Sequence, residues 1–292
     1  MTEILPIELH DAGPDDDIVA ARIWWRCDRD EEAGPLPDEP LAWEHLRHLR
    51  VSGRMVIATT TDGEPVGFGG VVERNGITRL ADLFIDPDHQ GRGVGQALLR
   101  EVLGDAAVLT TSASADPRAL PLYTRAGMRP LWPYHFLVGD PRKVEAPATV
   151  RVEPASREEL VAIDTEATGF ERPIDHEYYE VGCRAQGLRI FVGDRAIGFA
   201  YLEPPQPWAP TRWILLTLAV IAGFESGDGV RAALAHAGAQ GADRLFTAIG
   251  GPNPVLASLL ESGFVIPEQD IYMATSPDIT DPLRHHPHPG FG

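Results

Sequence analysis

This 292-residue chain is predicted to adopt an α+β fold made of two tandem copies of one mixed-sheet unit with flanking helices, on three observations. The run from Glu64 to Glu73 is echoed by the run from Arg195 to Glu203, each preceded by a turn and an apolar segment, Met55 to Thr60 and Arg189 to Val192. The echo continues downstream, Leu80 to Ile85 matching Trp213 to Val220, and Leu122 to Met128 matching Ser258 to Phe264. Between the copies, around Asp140 to Thr149, proline and charge replace apolar periodicity, which marks a joint. The expected domains are residues 1–143, 144–276 and a tail, 277–292. Each copy should run strand, two helices, three strands, helix, strand, helix, strands.

Taken in order, Ile23 to Cys27 ends an aromatic helix that leads into an acidic, proline-stiffened stretch, Asp28 to Glu32 and Gly34 to Pro40. Aromatics beside carboxylates suit a cationic amine, and a solvated loop after a core-packed helix is the other reading. His45 and His48 lie on one helical face, three apart rather than the four of a zinc-binding pair, with no third ligand in reach, so both are expected at the surface. Leu80 to Ile85 reads as a short buried strand with Asp86-Pro87-Asp88 as its exit turn, and Gln96 to Leu103 has helical spacing. Asp116 to Met128 reads as a helix with Asp116 as N-cap, Pro117 in the tolerated first position and Gly127 as the stop. The tail from Ser276, with His285, His286 and His288 among prolines, is expected to be loosely packed.

Between the strand and the helix sits Gln90-Gly91-Arg92-Gly93-Val94-Gly95. Without Cβ atoms at 91, 93 and 95 the backbone can bend sharply and let an anion approach its amides. Those donors, the positive end of the helix dipole and Arg92 converge on a point suited to a phosphate or pyrophosphate. Dinucleotide and P-loop fingerprints both fail here. A third glycine would have to fall on Gln96 or Leu98, and no Gly-Lys-Ser/Thr follows.

The pattern Gln-x-x-Gly-x-Gly after a strand ending in Asp-Pro resembles the acyl-CoA pyrophosphate loop of the GNAT superfamily of CoA-dependent N-acetyltransferases. Gln90, Gly93 and Gly95 fall on its key positions. The helix from Asp116 resembles the family's Asn-x-x-Ala-x-x-x-Tyr-x-x-x-Gly-Phe element, with Asp116, Ala119, Tyr123 and Met128 in place. The resemblance implies cofactor contacts from Gln90, Gly91, Arg92, Gly93, Val94, Gly95, Gln96 and Asp116, and from main-chain atoms of Leu83, Phe84 and Ile85. It implies acetyl-CoA as cosubstrate, no metal, and Tyr123 as general acid toward the departing thiolate. The base is open: Ala81 stands where polyamine-type members carry Glu. Asp82, facing opposite to Ala81, Leu83 and Ile85, either takes that role or pairs with Arg74 or Arg79, and Glu73 is a second candidate.

The second copy departs from this pattern. After Val220 it carries Glu225 and Asp228 instead of the glycine loop, and Leu259 aligns with Tyr123, so it is expected to have lost cofactor grip and acid. Asn253 there reads as a helix cap, and Glu171 to Tyr179 as either a pocket wall or ordinary helix-start chemistry. Two isolated cysteines, Cys27 and Cys183, suggest no disulfide framework, and cytoplasm is the expected compartment. A net charge of −18 disfavours nucleic acid and anionic membranes and favours a cationic acceptor. The expected activity is acetyl or short-acyl transfer from CoA to a primary amine by direct attack, in a monomer or homodimer. The alternatives are a non-catalytic acetyl-CoA-binding regulator and an O-acyltransferase.

Overall fold

The computed structural model describes residues 4–28, 44–206, 210–288, 290 and 291. It divides into two compact units, Met1–Thr111 and Ser112–Gly292. The acidic stretch Asp30 to Glu32 and Gly34 to Pro40 lies outside the described residues. The element order matches the expectation in both copies.

In the first unit, β1 (Ile7–Asp11), β2 (Arg54–Thr60), β3 (Pro65–Arg74) and β4 (Ile77–Ile85) form an antiparallel run, and β5 (Leu109–Ala113) adds in parallel to β4. Helices α1 (Asp16–Asp28) and α2 (Glu44–Ser52) pack on one face and α3 (Val94–Leu103) on the other. Alternation along β3 shows how close they come. A Cβ on Gly70 would lie 2.4 Å from Leu49 of α2, whereas one on Gly67 would meet Leu98 of α3 at 3.1 Å. Phe68 and Phe84 stack across β3 and β4 at 5.5 Å on the α1/α2 side.

The second unit begins with α4 (Ala119–Arg125) and β6 (Arg129–Gly139), followed by β7 (Val150–Pro154), α5 (Arg157–Thr168), α6 (Pro173–Glu177), β8 (Gln186–Val192), β9 (Arg195–Glu203) and β10 (Trp213–Val220). It continues with α7 (Gly227–Ala239), β11 (Leu245–Gly250), α8 (Val255–Glu261), β12 (Val265–Ala274) and the short β13 (His285–His286). Its sheet runs β12-β6-β11-β10-β9-β8-β7, with β13 paired to β10. By sequence β6 closes the first repeat, yet it lies hydrogen-bonded between β11 and β12 of the second. Contact therefore divides the chain earlier than the repeat does.

One sequence expectation is corrected here. The helix read from Asp116 starts at Ala119, because Asp116 spends its carboxylate on the turn before it, accepting from Arg118 N at 2.8 Å. Glu171 to Tyr179 holds the start of α6, with Pro173 in its first turn, and from it Arg172 and His176 enter a buried network. Arg172 and His176 both donate to Asp164, at 2.6 and 2.9 Å, and His176 Nδ1 meets the Tyr201 hydroxyl at 3.0 Å. Burial alone would raise the Asp164 carboxyl, but Arg172 and His176 outweigh it and hold it below the ordinary range.

Glu203, buried at the end of β9, is pushed by desolvation up to about 7. A carboxyl raised in the folded state binds its proton more tightly there than in the unfolded chain, so its burial costs stability as pH rises from about 4.5 through 7. Glu203→Gln should therefore raise stability by about 1–3 kcal/mol at pH 8 and leave it unchanged at pH 4, which urea unfolding at the two pH values will read.

Candidate active site

The site is built on the exit of β4. The parallel ladder to β5 joins only Thr78 with Leu109 and Arg79 with Thr110, and Thr111 Oγ1 adds one bond to Leu80 O at 3.0 Å. At Ala81 a bulge interrupts the β3 register, Leu80 pairing with Val71 and Asp82 with Gly70. From there to Ile85, β4 keeps β3 on one side and, among the described residues of this unit, has no strand on the other. The five residues are half-buried rather than buried.

The turn that follows is tied down from three directions. Asp86 is buried, accepts from Asp88 N at 3.1 Å, and is bonded by Arg26 of α1, whose second nitrogen reaches Asp88 Oδ2 at 2.8 Å. Gln90 Nε2 donates to Ile85 O at 3.0 Å, and Cys27 Sγ meets the same carbonyl at 3.2 Å. The side chain of Gln90 thus stitches loop to strand. Gly91 and Gly93 take the left-handed conformation, φ +73° and +88°, which a side chain would strain. Gly93 is the N-cap of α3, and no side chain caps this helix start. The first-turn amides of Val94, Gly95 and Gln96 and the half-buried Arg92 share that end of α3. The donor set fits an anion because it offers amides and a guanidinium with no carboxylate among them.

Asp82 is paired with neither Arg79 nor Arg74 among its hydrogen bonds. His45 Nε2, from the first turn of α2, lies 2.7 Å from Asp82 Oδ2. Arg74 instead binds Ser52 O and Oγ. The expectation that both histidines sit at the surface is corrected: His48 is buried with Ser52 at 3.2 Å, and His45 is 22% exposed against 14% for Asp82. The helical face they share is the one α2 turns to the sheet. Phe84, two residues along β4 on the same face, and Trp24 of α1 flank the pair, with ring centroids 6.4 Å apart. Leu83 and Ile85 point to the opposite face, toward the positions of Gly69 and Gly67. Arg26 and His45 were missed in the sequence because each acts across some 40 to 60 residues.

In the second unit, Tyr123 is buried on α4, and its carbonyl accepts from Met128 N at 3.2 Å as the helix closes at Gly127, φ +96°. Arg118 clamps the Asp116 carboxylate with bonds of 2.5 to 3.2 Å and, with the backbone amide of 118, holds it below the usual carboxylate range against the opposing effect of burial.

The family model described as Acetyltransferase (GNAT) family matches residues 19–128, a span that holds most of α1, and β4, the glycine loop, α3 and α4. The match places the fold of this segment with the GNAT acetyltransferases. Whole-chain structural likeness extends the fold to both copies. A putative acetyltransferase from Pyrococcus horikoshii superposes with a TM-score of 0.76 at 18% identity, covering 100% of this chain and 98% of that one. A tandem GNAT protein from the clavulanic acid biosynthesis pathway gives 0.64 at 13% identity, with 94% and 100% covered. A GCN5-related N-acetyltransferase from Sphaerobacter thermophilus gives 0.62 at 15%, with 96% and 97% covered. No curated protein matches the sequence. The chain has a tandem GNAT fold. Among the described residues no helix is long and apolar enough to cross a membrane, and no cluster of three or more His, Cys, Asp or Glu is placed to hold a metal.

The second GNAT copy repeats the β4 geometry. Its β10 bulges at Leu216 and keeps β11 only from Trp213 to Leu215. Thr217 occupies the place of Asp82, one residue past the bulge, and Leu259 is the buried counterpart of Tyr123. The opening is filled by the tail. Leu218 and Ala219 pair with His286 and His285, and Val220 N donates to Arg284 O at 3.1 Å. At the start of α7, Ser226 N and Oγ both donate to Leu283 O at 2.8 Å, and Asn253 Nδ2 reaches Pro282 O at 3.0 Å while its Oδ1 caps Val255 N. Phe291 is 1% exposed against Tyr178. The loosely packed tail of the sequence reading is corrected, because backbone pairing and burial of its aromatic and imidazole rings hold it in the second copy.

Burial lowers His286 to about 3 and His285 to about 4, with the positive charge of Arg284 assisting at His285. Both rings stay neutral in the fold while the unfolded chain takes up protons below about 6.5, so this anchoring weakens as pH falls from 6.5 toward 4. Amide exchange of His286 and Ser226 should accelerate at least tenfold more between pH 7 and 5 than that of Leu98, after correction for intrinsic rates.

Proposed function

We propose that the first copy binds acetyl-CoA or a short acyl-CoA and transfers the acyl group to a primary amine by direct attack in a ternary complex. The observation that carries this reading is a left-handed glycine loop opening α3 directly after a strand whose outer edge has parted from its neighbour. The loop amides from Gly91 to Gln96 and Arg92 take the diphosphate, as helix N-termini take anions. Main-chain groups of Leu83, Phe84 and Ile85 take the amides of the pantetheine arm in place of a strand, the Ile85 carbonyl being shared with Gln90 and Cys27.

In the reaction the amine nitrogen attacks the thioester carbonyl, the tetrahedral oxyanion is held by an N–H donor, and the C–S bond breaks. Tyr123 is the proposed proton donor to the thiolate, an assignment that rests on its place in the family motif. Asp82 is the proposed carboxylate on the side of proton removal. Net charge and the partly covered Asp82 carboxylate favour a cationic acceptor. The second copy, with Thr217, Leu259 and its own tail in the corresponding places, is proposed to bind no CoA. The two isolated cysteines of the sequence, Cys27 and Cys183, are in keeping with a cytoplasmic setting.

Calorimetry with CoA should give one site per chain, and Arg92→Glu should weaken it by about 10- to 100-fold. Two sites, or one that ignores Arg92, would remove the reading. Thiol release from acetyl-CoA with a panel of primary amines should exceed the amine-free rate, and Tyr123→Phe should lower kcat by about 10- to 1000-fold with CoA affinity within twofold. Tight CoA binding with no thiol from any amine would mark a regulator, and a base-labile product would mark hydroxyl acylation.

A further inference from the structure

Ahead of β1 the chain runs over to the glycine loop. Leu5 N donates to Arg92 O at 3.1 Å, two residues before β1 begins at Ile7. Ile4 lies against the same turn, its Cγ2 3.6 Å from where a Cβ on Gly93 would stand, yet it is 78% exposed, so apolar burial is not what places it there. At its other end β1 is tied to the other end of α3, where Arg54 joins Asp11 at 2.7 Å to Glu101 at 2.8 Å. In a trans peptide the C=O and the next N–H point to opposite sides of the chain, and among the described residues no peptide is cis. With Arg92 O turned to Leu5, the Gly93 N–H is turned away from the N-terminal segment. One residue on, Gly93 O accepts from Ala97 N at 3.1 Å, which turns the Val94 N–H out along the helix start. Two successive peptide planes thus have two different anchors, α3 for Val94 and the N-terminal segment for Gly93. Glycines at 91 and 93 take positive φ at no steric cost but leave the peptide between them easy to rotate, so the choice of one orientation has to come from outside the loop.

We infer that Leu5, through its backbone N–H, is a positioning residue of the diphosphate site, holding the Arg92–Gly93 peptide so that the Gly93 N–H faces the anion before the anion arrives. The inference rests on the acyl-CoA reading above and names what orders its loop. A plane free to flip presents the Arg92 carbonyl to the phosphate in a share of the molecules, where like partial charges repel, and apparent affinity falls by that share. Leu5 itself is assigned no contact with the cofactor. It acts through one peptide of the loop, so its effect belongs to the diphosphate. S-acetylpantetheine carries the same thioester and arm without the diphosphate, and its use should not depend on Leu5.

The test compares wild type with Leu5→Pro, which removes the N–H, and Leu5→Ala, which keeps it and trims the side chain. A double variant, Ile4→Gly with Leu5→Gly, keeps the N–H but loosens the segment, and it decides the matter should Leu5→Pro fail to fold. CoA affinity is measured by calorimetry, and thiol release with an amine the wild type accepts is followed for acetyl-CoA and for S-acetylpantetheine. Leu5→Pro should weaken CoA by about five- to tenfold and lower kcat/KM for acetyl-CoA by the same factor, with kcat and the S-acetylpantetheine rate within about twofold of wild type. Leu5→Ala should match wild type, and the double glycine variant should lose about threefold or more in CoA affinity. Wild-type CoA affinity in Leu5→Pro, an equal loss in Leu5→Ala, or an equal loss with both donors overturns the inference and leaves the acyl-CoA reading intact. A wild type that binds CoA but releases no thiol still tests the inference by calorimetry, through the same contrast between Leu5→Pro and Leu5→Ala. Absence of CoA binding by wild type overturns the acyl-CoA reading instead.

Discussion

The parting of β4 from β5 is the constraint on which the rest of the first unit depends. Parallel pairing satisfies backbone groups only as far as Arg79, and the bulge at Ala81 turns the next residues so that Asp82 and Phe84 face α1 and α2. Backbone N–H and C=O groups left without a strand need a partner, and a strand edge flanked by a helix start offers donors and acceptors in one short segment. The glycines at 91 and 93 turn the chain from strand to helix without a capping side chain at that end. Arg26, Asp86 and Gln90 keep the turn in place, so the amides at the start of α3 are held in order before any partner arrives.

The two copies show what the same backbone does under different side chains. Each bulges once on its fourth strand and each parts from its parallel neighbour within a few residues. Only the first keeps a carboxylate after the bulge and a pair of left-handed glycines before the helix, where the second has the single Gly223. In the second, eight residues between strand and helix (86–93) have shrunk to six (221–226), and main-chain carbonyls from Pro282 to Arg284 lie where the helix start and strand edge offer donors. The proton demand of buried His285 and His286 makes that closure a property of neutral and alkaline pH.

Most of the architecture was legible in the sequence because it rests on local chemistry. The internal echo gave the hairpins and their order, the glycine spacing located the loop, and Gly127 gave the helix stop. What was not legible depends on residues that meet from distant segments. Asp82 was visible as a candidate, but period-two alternation tells only which face it occupies, and its partner His45 comes from a helix whose own pattern suggested solvent. Arg26 looked like the end of an aromatic helix, and nothing near it in sequence announced the turn it binds. The tail was misread because proline and histidine content argues for looseness, whereas its backbone pairs with β10 and Phe291 is buried against Tyr178.

An unpaired strand edge is also a template for the wrong strand. The second copy shields its edge with a piece of the same polypeptide, at an effective concentration no dilution can lower. In the first copy no strand among the described residues of its unit lies along the outer side of Ala81 to Ile85. The acidic surface, with 43 carboxylates against 25 basic residues, repels other copies of the same chain.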